Sequence, residues 1–287
     1  MSDPTAGATD NYLDWLGVSR TSSAPIGPWP ARALSAVLGM SATHLTDELP
    51  GLWHWLYFLE TVSRDALGPD GHPGLGGFMP PLPNPRRMFA GARTQYHRPL
   101  LIDREAQLVE TIADIQSKQG SAGEIYIVTV QYEYSQGGHL CISEQRDFVY
   151  LPAVAPEQPP LILEQRIEPV ADAAWALDFA TDPILLFRFS ALTFNSHRIH
   201  YDRQYATGTE AYADLVVQGP LTAVLAAHCL SSHTGRRVAK FNFRAISPLF
   251  VGQTIRIRAI ETTADSATLT AYTPAAKPAM TVIADLD

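Results

Sequence analysis

From Gly219 to Leu230 the chain reads GPLTAVLAAHCL, with no Asp, Glu, Lys or Arg. Pro just inside the start of a segment is a helix N-terminus signal. A helix apolar on every side belongs inside a core, so the rest of the chain has to wrap it. The segments behind it read as strands: Arg237 to Ile246, Thr254 to Thr262, Ala267 to Tyr272 and Met280 to Ala284. Strands that follow a helix without strand-helix-strand alternation give an antiparallel sheet around that helix, an α+β class. The helix start leaves unpaired N–H groups and a positive dipole end at Gly219.

The first half follows the same plan. Tyr12 to Val18 reads as a short amphipathic turn, and Gly27-Pro28 opens an apolar helix over Ala31 to Met40. Residues 53–60 (WHWLYFLE) read as a buried strand or core segment. Gly68 to Pro85 is dominated by Gly and Pro, a long irregular loop of the kind that tends to be functional. Strands are expected at Arg93 to Leu101, Gln107 to Gln116, Glu124 to Tyr134 and His139 to Leu151, with a Gly137-Gly138 hairpin turn. Residues 1–10 are expected to be disordered. A proline-rich stretch divides the halves, giving a unit over 1–152, a linker over 153–169 and a unit over 170–287. The first half carries a longer insertion near 41–91.

Ahead of the central helix, Ile184 to Ser190 reads as a strand. It runs into a polar segment holding His197, His200, Tyr201 and Asp202, and then into Gln218-Gly219-Pro220. The run Ser190-Ala191-Leu192-Thr193-Phe194-Asn195-Ser196-His197-Arg198-Ile199-His200-Tyr201-Asp202, with Gln218-Gly219-Pro220 after it, resembles the hydratase-2 motif of MaoC-like enoyl-thioester hydratases. The match is nearest to the branch containing 3-hydroxyacyl-thioester dehydratase type 2, mesaconyl-CoA hydratase and itaconyl-CoA hydratase. Gly76-Gly77-Phe78, Pro83-Asn84-Pro85-Arg86-Arg87-Met88-Phe89 and Ser143 to Tyr150 extend the resemblance upstream. It implies two tandem hot-dog units, only the second carrying the motif, and hydration or dehydration of an acyl-CoA.

Hydrating an unsaturated thioester needs a base for water, an acid for Cα and donors for charge on the thioester oxygen. A histidine moves protons near neutral pH, and N–H groups at a helix start supply the donors. The resemblance places the family's catalytic His on His200 and its catalytic Asp on Asn195, which cannot exchange a proton. His197 and Asp202 are the candidates to share the acid–base work, and the Gly219 N–H to hold the oxyanion. The plainer readings are hydrogen-bonded support for His197, a helix cap for Asp202, an Asx turn for Asn195 and close packing for Gly219. Arg86, Arg87 and Arg198, with Tyr201 and Gln218, are the candidates for holding CoA phosphate or a substrate carboxylate. Arg188 lies near the same segment. This suits a small branched dicarboxylic acyl-CoA (itaconyl- or mesaconyl-type), with a straight-chain 3-hydroxyacyl thioester as the second class. A non-catalytic acyl-binding subunit is the reading of another kind. A thioesterase is disfavoured, since Gly219 to His233 holds no acidic residue.

At about 150 residues per domain, 287 residues fit two domains or one large one. A net charge of −8 disfavours nucleic acid as a partner. No apolar run reaches the ~18 residues needed to span a bilayer, and the start has no signal-peptide pattern. A cytoplasmic location is therefore expected, with no membrane association. Cys141 and Cys229 lack metal-ligand spacing and read as buried thiols. No metal or cofactor is expected beyond the coenzyme A of the substrate. The fused pair satisfies within one chain the need of such a sheet for a partner, and a homodimer of such chains remains open.

Overall fold

The computed structural model describes residues 12–40, 47–120, 123–155, 158–164 and 166–287. The expected disorder of residues 1–10 falls outside them. The first half runs β1 (Ser19–Pro25), α1 (Pro28–Val37), β2 (Arg86–Tyr96), β3 (Glu105–Gly120), β4 (Gly123–Gln136) and β5 (His139–Leu151). The second runs β6 (Ala176–Ala180), α2 (Pro183–Leu192), α3 (Arg203–Gly208), α4 (Gly219–Thr234), β7 (Val238–Ala245), β8 (Thr254–Thr262), β9 (Ser266–Tyr272) and β10 (Pro278–Leu286). The strands form one ten-stranded antiparallel sheet in the order β1-β3-β4-β5-β2-β7-β10-β9-β8-β6. From either edge the order is first, third, fourth, fifth and second strand of one half, so the halves repeat about the β2–β7 seam.

Sequence explains the main pieces. β4 alternates, burying Tyr126, Val128, Val130, Tyr132 and Tyr134 on one face, as a half-buried strand must. α4 buries Leu221, Ala223, Val224, Leu225, Ala226, Cys229 and Leu230. It packs against β7 to β10. Each fully buried leucine stabilises the fold by roughly 1.5–3 kcal/mol before entropy is counted. The helix ends at Gly235, whose φ of 61° is a left-handed cap. The seam pairs Gly91 with Arg244 through Gln95 with Lys240. A Cβ on Gly91 would lie 2.3 Å from the Phe243 carbonyl oxygen, so only glycine lets the two halves meet there. Cys141 and Cys229 are buried free thiols. Among the described residues no helix is long and apolar enough to cross a membrane.

Several expectations are corrected. Ile184 to Ser190 is not a strand but the body of α2. Asp182 caps it by accepting from the Leu185 N–H at 2.7 Å, and Pro183 sits in its first turn. That start signal outweighs the β-propensity of a short apolar run. Of the two readings of the aromatic run at 53–60, strand or core segment, the second holds: Trp53–Leu56 forms a 3-10 turn, entered through Leu52 at φ 66°, that buries Trp53, His54 and Leu56. The strand expected from Arg93 begins instead at Arg86, so Arg86 and Arg87 stand on β2, opposite Leu151 and Tyr150 of β5, rather than in a loop. β1 and β6 went unpredicted. They are the two sheet edges, short and mostly exposed, with little apolar alternation to betray them.

Candidate active site

The segment between α2 and α4 is pinned at each step. Asn195 Oδ1 accepts from the His197 N–H at 3.0 Å, the Asx turn that breaks the chain out of α2. The turn Arg198–His200 follows. His200 is buried, and its Nδ1 lies 2.7 Å from the Val216 carbonyl oxygen. A carbonyl only accepts, so Nδ1 carries the proton and Nε2 is left as an acceptor. Burial pushes the His200 imidazole down to about 4, with the nearby His72 opposing the charge further. It is therefore neutral at neutral pH and available as a base. Gln218 is fully buried and donates to the Leu186 carbonyl and Ser190 Oγ at 2.9 and 2.8 Å, tying the entry of α4 to α2.

His200 lines a cavity of about 580 Å³ built from both halves of the chain. The second half contributes Phe189, Asn195, His197, His200, Gly219 and Pro220. The first contributes His72, Arg87, Phe89, Tyr132, Arg146 and Phe148. Gly219 opens α4 with a free first-turn N–H. A Cβ there would meet nothing nearer than the Phe89 carbonyl oxygen at 4.0 Å, so tight packing is not what requires glycine. The position leaves the helix start open to whatever occupies the cavity.

The expected residues divide. His200, His197, Asn195, Gly219 and Arg87 reach the cavity wall. Asp202, Arg86, Arg198, Tyr201 and Gln218 do not line it. Asp202 caps α3 by accepting from the Tyr205 N–H and pairs with Arg198 at 2.7 Å. Arg86 is neutralised by Glu210 at 2.8 Å. The Tyr201 hydroxyl donates to the Ser196 carbonyl, and Arg188 faces solvent on α2. Arg87 is different. Among the described residues no carboxylate lies within ion-pairing distance of it, and its guanidinium lies over the Phe148 ring at 4.4 Å.

Sequence reasoning missed His72, which lines the cavity, and Asp70, which holds it from behind. Both sit in the Gly/Pro-rich loop whose length had pointed to function. The loop is fastened to the second half: the Arg198 N–H donates to the Asp70 carbonyl at 2.8 Å, and Ser196 Oγ donates to the Gly71 carbonyl. Gly71 has φ 91°, and a Cβ on it would overlap the Ser196 carbonyl. His72 Nδ1 lies 3.0 Å from Asp70 Oδ2, and the His72 ring lies 4.2 Å from that of His197. The signal available was a run, Gly68-Pro69-Asp70-Gly71-His72-Pro73, holding a carboxylate and an imidazole two residues apart. We expect Gly71→Ala, which must undock the loop to relieve that overlap, to lower kcat at least tenfold. Misplacing a site element by about 1 Å can cost 10²-fold; unchanged kcat in a steady-state assay would show that the docking is dispensable.

One ligand atom each from Asp70, His72 and His197 lie within 4.8 Å of one another, so these residues could geometrically hold a cation. Electrostatics oppose it. Burial lowers the proton affinity of both imidazoles, and the Arg87 charge lowers it further; a fixed positive charge beside the three groups disfavours a metal ion there.

The sequence model of hydroxyacyl-thioester dehydratase type 2 matches residues 52–251. A mesaconyl-C(4)-CoA hydratase of Chloroflexus aurantiacus is 45% identical over 244 residues, covering 84% of this chain and 85% of that protein. Among solved structures, a MaoC-like dehydratase from Phytophthora capsici superposes with a TM-score of 0.65 at 16% identity, covering 97% of this chain and 98% of that one. A Mycobacterium tuberculosis protein described as a double hot-dog fold gives 0.54 at 15%, covering 96% and 97%. The architecture is thus the double hot dog, an α+β fold of two tandem units.

Proposed function

Given that this chain belongs to the hydroxyacyl-thioester dehydratase type 2 family of MaoC-like hydratases, we propose that it adds water across, or removes it to form, the double bond of a small branched dicarboxylic enoyl-CoA. It is a hydro-lyase. Its 45% identity to a mesaconyl-C(4)-CoA hydratase supports acyl-CoA hydration, and the unpaired Arg87 in the cavity supports a carboxylated acyl group. Mesaconyl-CoA is the leading substrate, with itaconyl-CoA in the same class. The reaction moves protons and no net electrons, so it asks for no cofactor besides the coenzyme A of the substrate. A cytoplasmic site of action belongs to the same proposal.

The roles follow from position. His200 Nε2 accepts a hydrogen bond from the attacking water and raises its nucleophilicity. The Gly219 N–H, at the positive end of α4, meets the thioester oxygen as charge develops on it. Arg87 pairs with the free carboxylate, and its planar guanidinium fixes the acyl group's orientation. Asn195 holds the His197 N–H and shapes the loop. A straight-chain 3-hydroxyacyl thioester is the second reading, favoured by the family name and by the apolar wall that Phe89, Phe148 and Phe189 supply.

Arg87→Gln separates the two. A hydrogen bond to a charged group contributes about 1.5–3 kcal/mol. We therefore expect kcat/KM for mesaconyl-CoA to fall roughly 10- to 150-fold, with that for crotonyl-CoA nearly unchanged. Both substrates carry the same CoA phosphates, so the comparison isolates the acyl carboxylate. An equal loss on both would assign Arg87 to the CoA moiety and favour the straight-chain reading.

A further inference from the structure

His200 supplies one acceptor, while Asn195 stands where the family motif has a proton-exchanging Asp, so a second proton carrier is missing from the motif. The cavity supplies one from the other half of the chain. We propose that His72, oriented by Asp70, carries the proton between the water and Cα. This rests on the hydratase reading and completes it, and it makes the first hot-dog unit a catalytic contributor instead of a passive wall.

Geometry argues for it. Asp70 Oδ2 is 3.0 Å from His72 Nδ1, and Asp70 Oδ1 accepts the His72 backbone N–H at 3.1 Å. A carboxylate only accepts, so Nδ1 is the protonated nitrogen and Nε2 is the free base. His72 lines the same cavity as His200. Between them lies His197, 4.2 Å from the His72 ring and 5.5 Å from that of His200. His197 is 4% exposed and its buried Nε2 has no hydrogen-bond partner, so the cluster holds an unused polar atom. Burial lowers the proton affinity of all three imidazoles, and of the three His72 alone has a carboxylate beside it to oppose that fall. His200 faces a neutral carbonyl. His197 is held neutral chiefly by burial, with His72, His200 and the Arg87 charge adding to it. Asp70 itself stays ionised, since the His72 contacts and Arg87 outweigh its burial.

The step balances within the chain. Water gives one proton to His72 Nε2, and its oxygen forms the bond to Cβ. The π pair of the double bond shifts toward the thioester, whose oxygen takes negative charge beside the Gly219 N–H. The pair then returns to Cα, which takes the proton from His72 Nε2. The second water hydrogen remains on the new hydroxyl, held by His200 Nε2. His72 ends neutral, and no co-reactant is consumed. Asp70 is a positioning residue: it touches His72 and no reacting atom.

The test is steady-state hydration of mesaconyl-CoA by wild type, His72→Ala, His72→Gln and Asp70→Asn, with product affinity measured by calorimetry. We expect both His72 variants to lose about 10²- to 10⁴-fold in kcat with KM and product affinity within threefold. Millimolar imidazole should partly restore His72→Ala and leave His72→Gln, whose side chain fills the space, unrestored. Asp70→Asn should lower kcat at least tenfold at similar KM. Turnover of either His72 variant within threefold of wild type would overturn the assignment and leave the hydratase reading intact. Failure of imidazole to restore a folded His72→Ala would also overturn it. Activity lost on chelation and restored by zinc would give the cluster to a metal instead. Inactive wild type would overturn the hydratase reading and this assignment together.

Discussion

His200→Ala is expected to lower kcat for the unsaturated thioester by about 10²- to 10³-fold, the span that one positioned transition-state hydrogen bond contributes, while KM changes by less than threefold. The asymmetry follows from the site. The ring touches the protein through Nδ1 and the Val216 carbonyl, leaving only Nε2 for chemistry, so its removal deletes a transition-state contact and little uniform binding. Steady-state kinetics with product affinity as control checks this. The pH profile is a second signature. Burial holds His200 down to about 4, below its ordinary 6.5. The neutral base therefore persists through the range where an exposed histidine would protonate. Its acid limb should lie near pH 4 to 5. The same shift acts on stability. The unfolded chain binds a proton below about pH 6.5 and the folded one does not until about 4, so stability contributed by neutral His200 is lost as pH falls across that window. An acid limb near 6.5 would mean that His200 is exposed in the working enzyme.

The largest expected effect on stability lies on the other side of the cavity. Glu144→Ala should destabilise the chain by about 3–5 kcal/mol, the cost of stranding one member of a buried ion pair. Glu144 is 1% exposed and accepts from Arg146 at 2.7 Å, Thr94 at 2.8 Å and Trp55 at 3.0 Å, with His54 at 3.3 Å. Arg146 also donates to the Tyr134 hydroxyl and lies 3.9 Å from the Tyr132 ring. The network binds the Trp53–Leu56 turn to β2 and β5, and through Trp55, Tyr132 and Arg146 it forms a wall of the cavity. Burial alone would raise the Glu144 carboxyl, but Arg146 and the hydrogen bonds win and hold it at about 2. A carboxyl depressed in the folded state contributes stability that is full above about pH 4.5 and lost as pH falls toward 2. Urea unfolding at pH 7 should show the loss. The double variant Glu144→Leu with Arg146→Met should recover most of it, since apolar replacements of a buried pair are often neutral. A single variant within 1 kcal/mol of wild type would show that water reaches the pair.

Much of this molecule was legible in one sequence. The charge-free run after Gly219-Pro220 foretold the buried helix, alternation marked β4 and β8, and the Gly137-Gly138 turn marked the return strand β5. His200, His197 and Gly219, singled out from the histidine motif, line one cavity. The misses share a physical cause. Ile184 to Ser190 is short and apolar, and periodicity cannot separate a strand from a buried helix there; Asp182-Pro183 held the answer. Proximity in sequence to the motif suggested Arg198, Tyr201 and Asp202, yet side chains beside a site often bind one another, as Arg198 and Asp202 do. Asp70 and His72 lie more than a hundred residues from His200 and reach it only through tertiary docking of their loop onto Ser196 and Arg198. That docking depends on a glycine at Gly71 whose role is invisible until its neighbour is known.

The most direct test is loss of the conjugated-thioester absorbance when the purified chain meets mesaconyl-CoA, with crotonyl-CoA and itaconyl-CoA alongside. The account predicts rapid hydration of mesaconyl-CoA, at a kcat/KM at least tenfold above that for crotonyl-CoA. No turnover of any of the three would contradict it and would leave a cavity that binds thioesters without converting them.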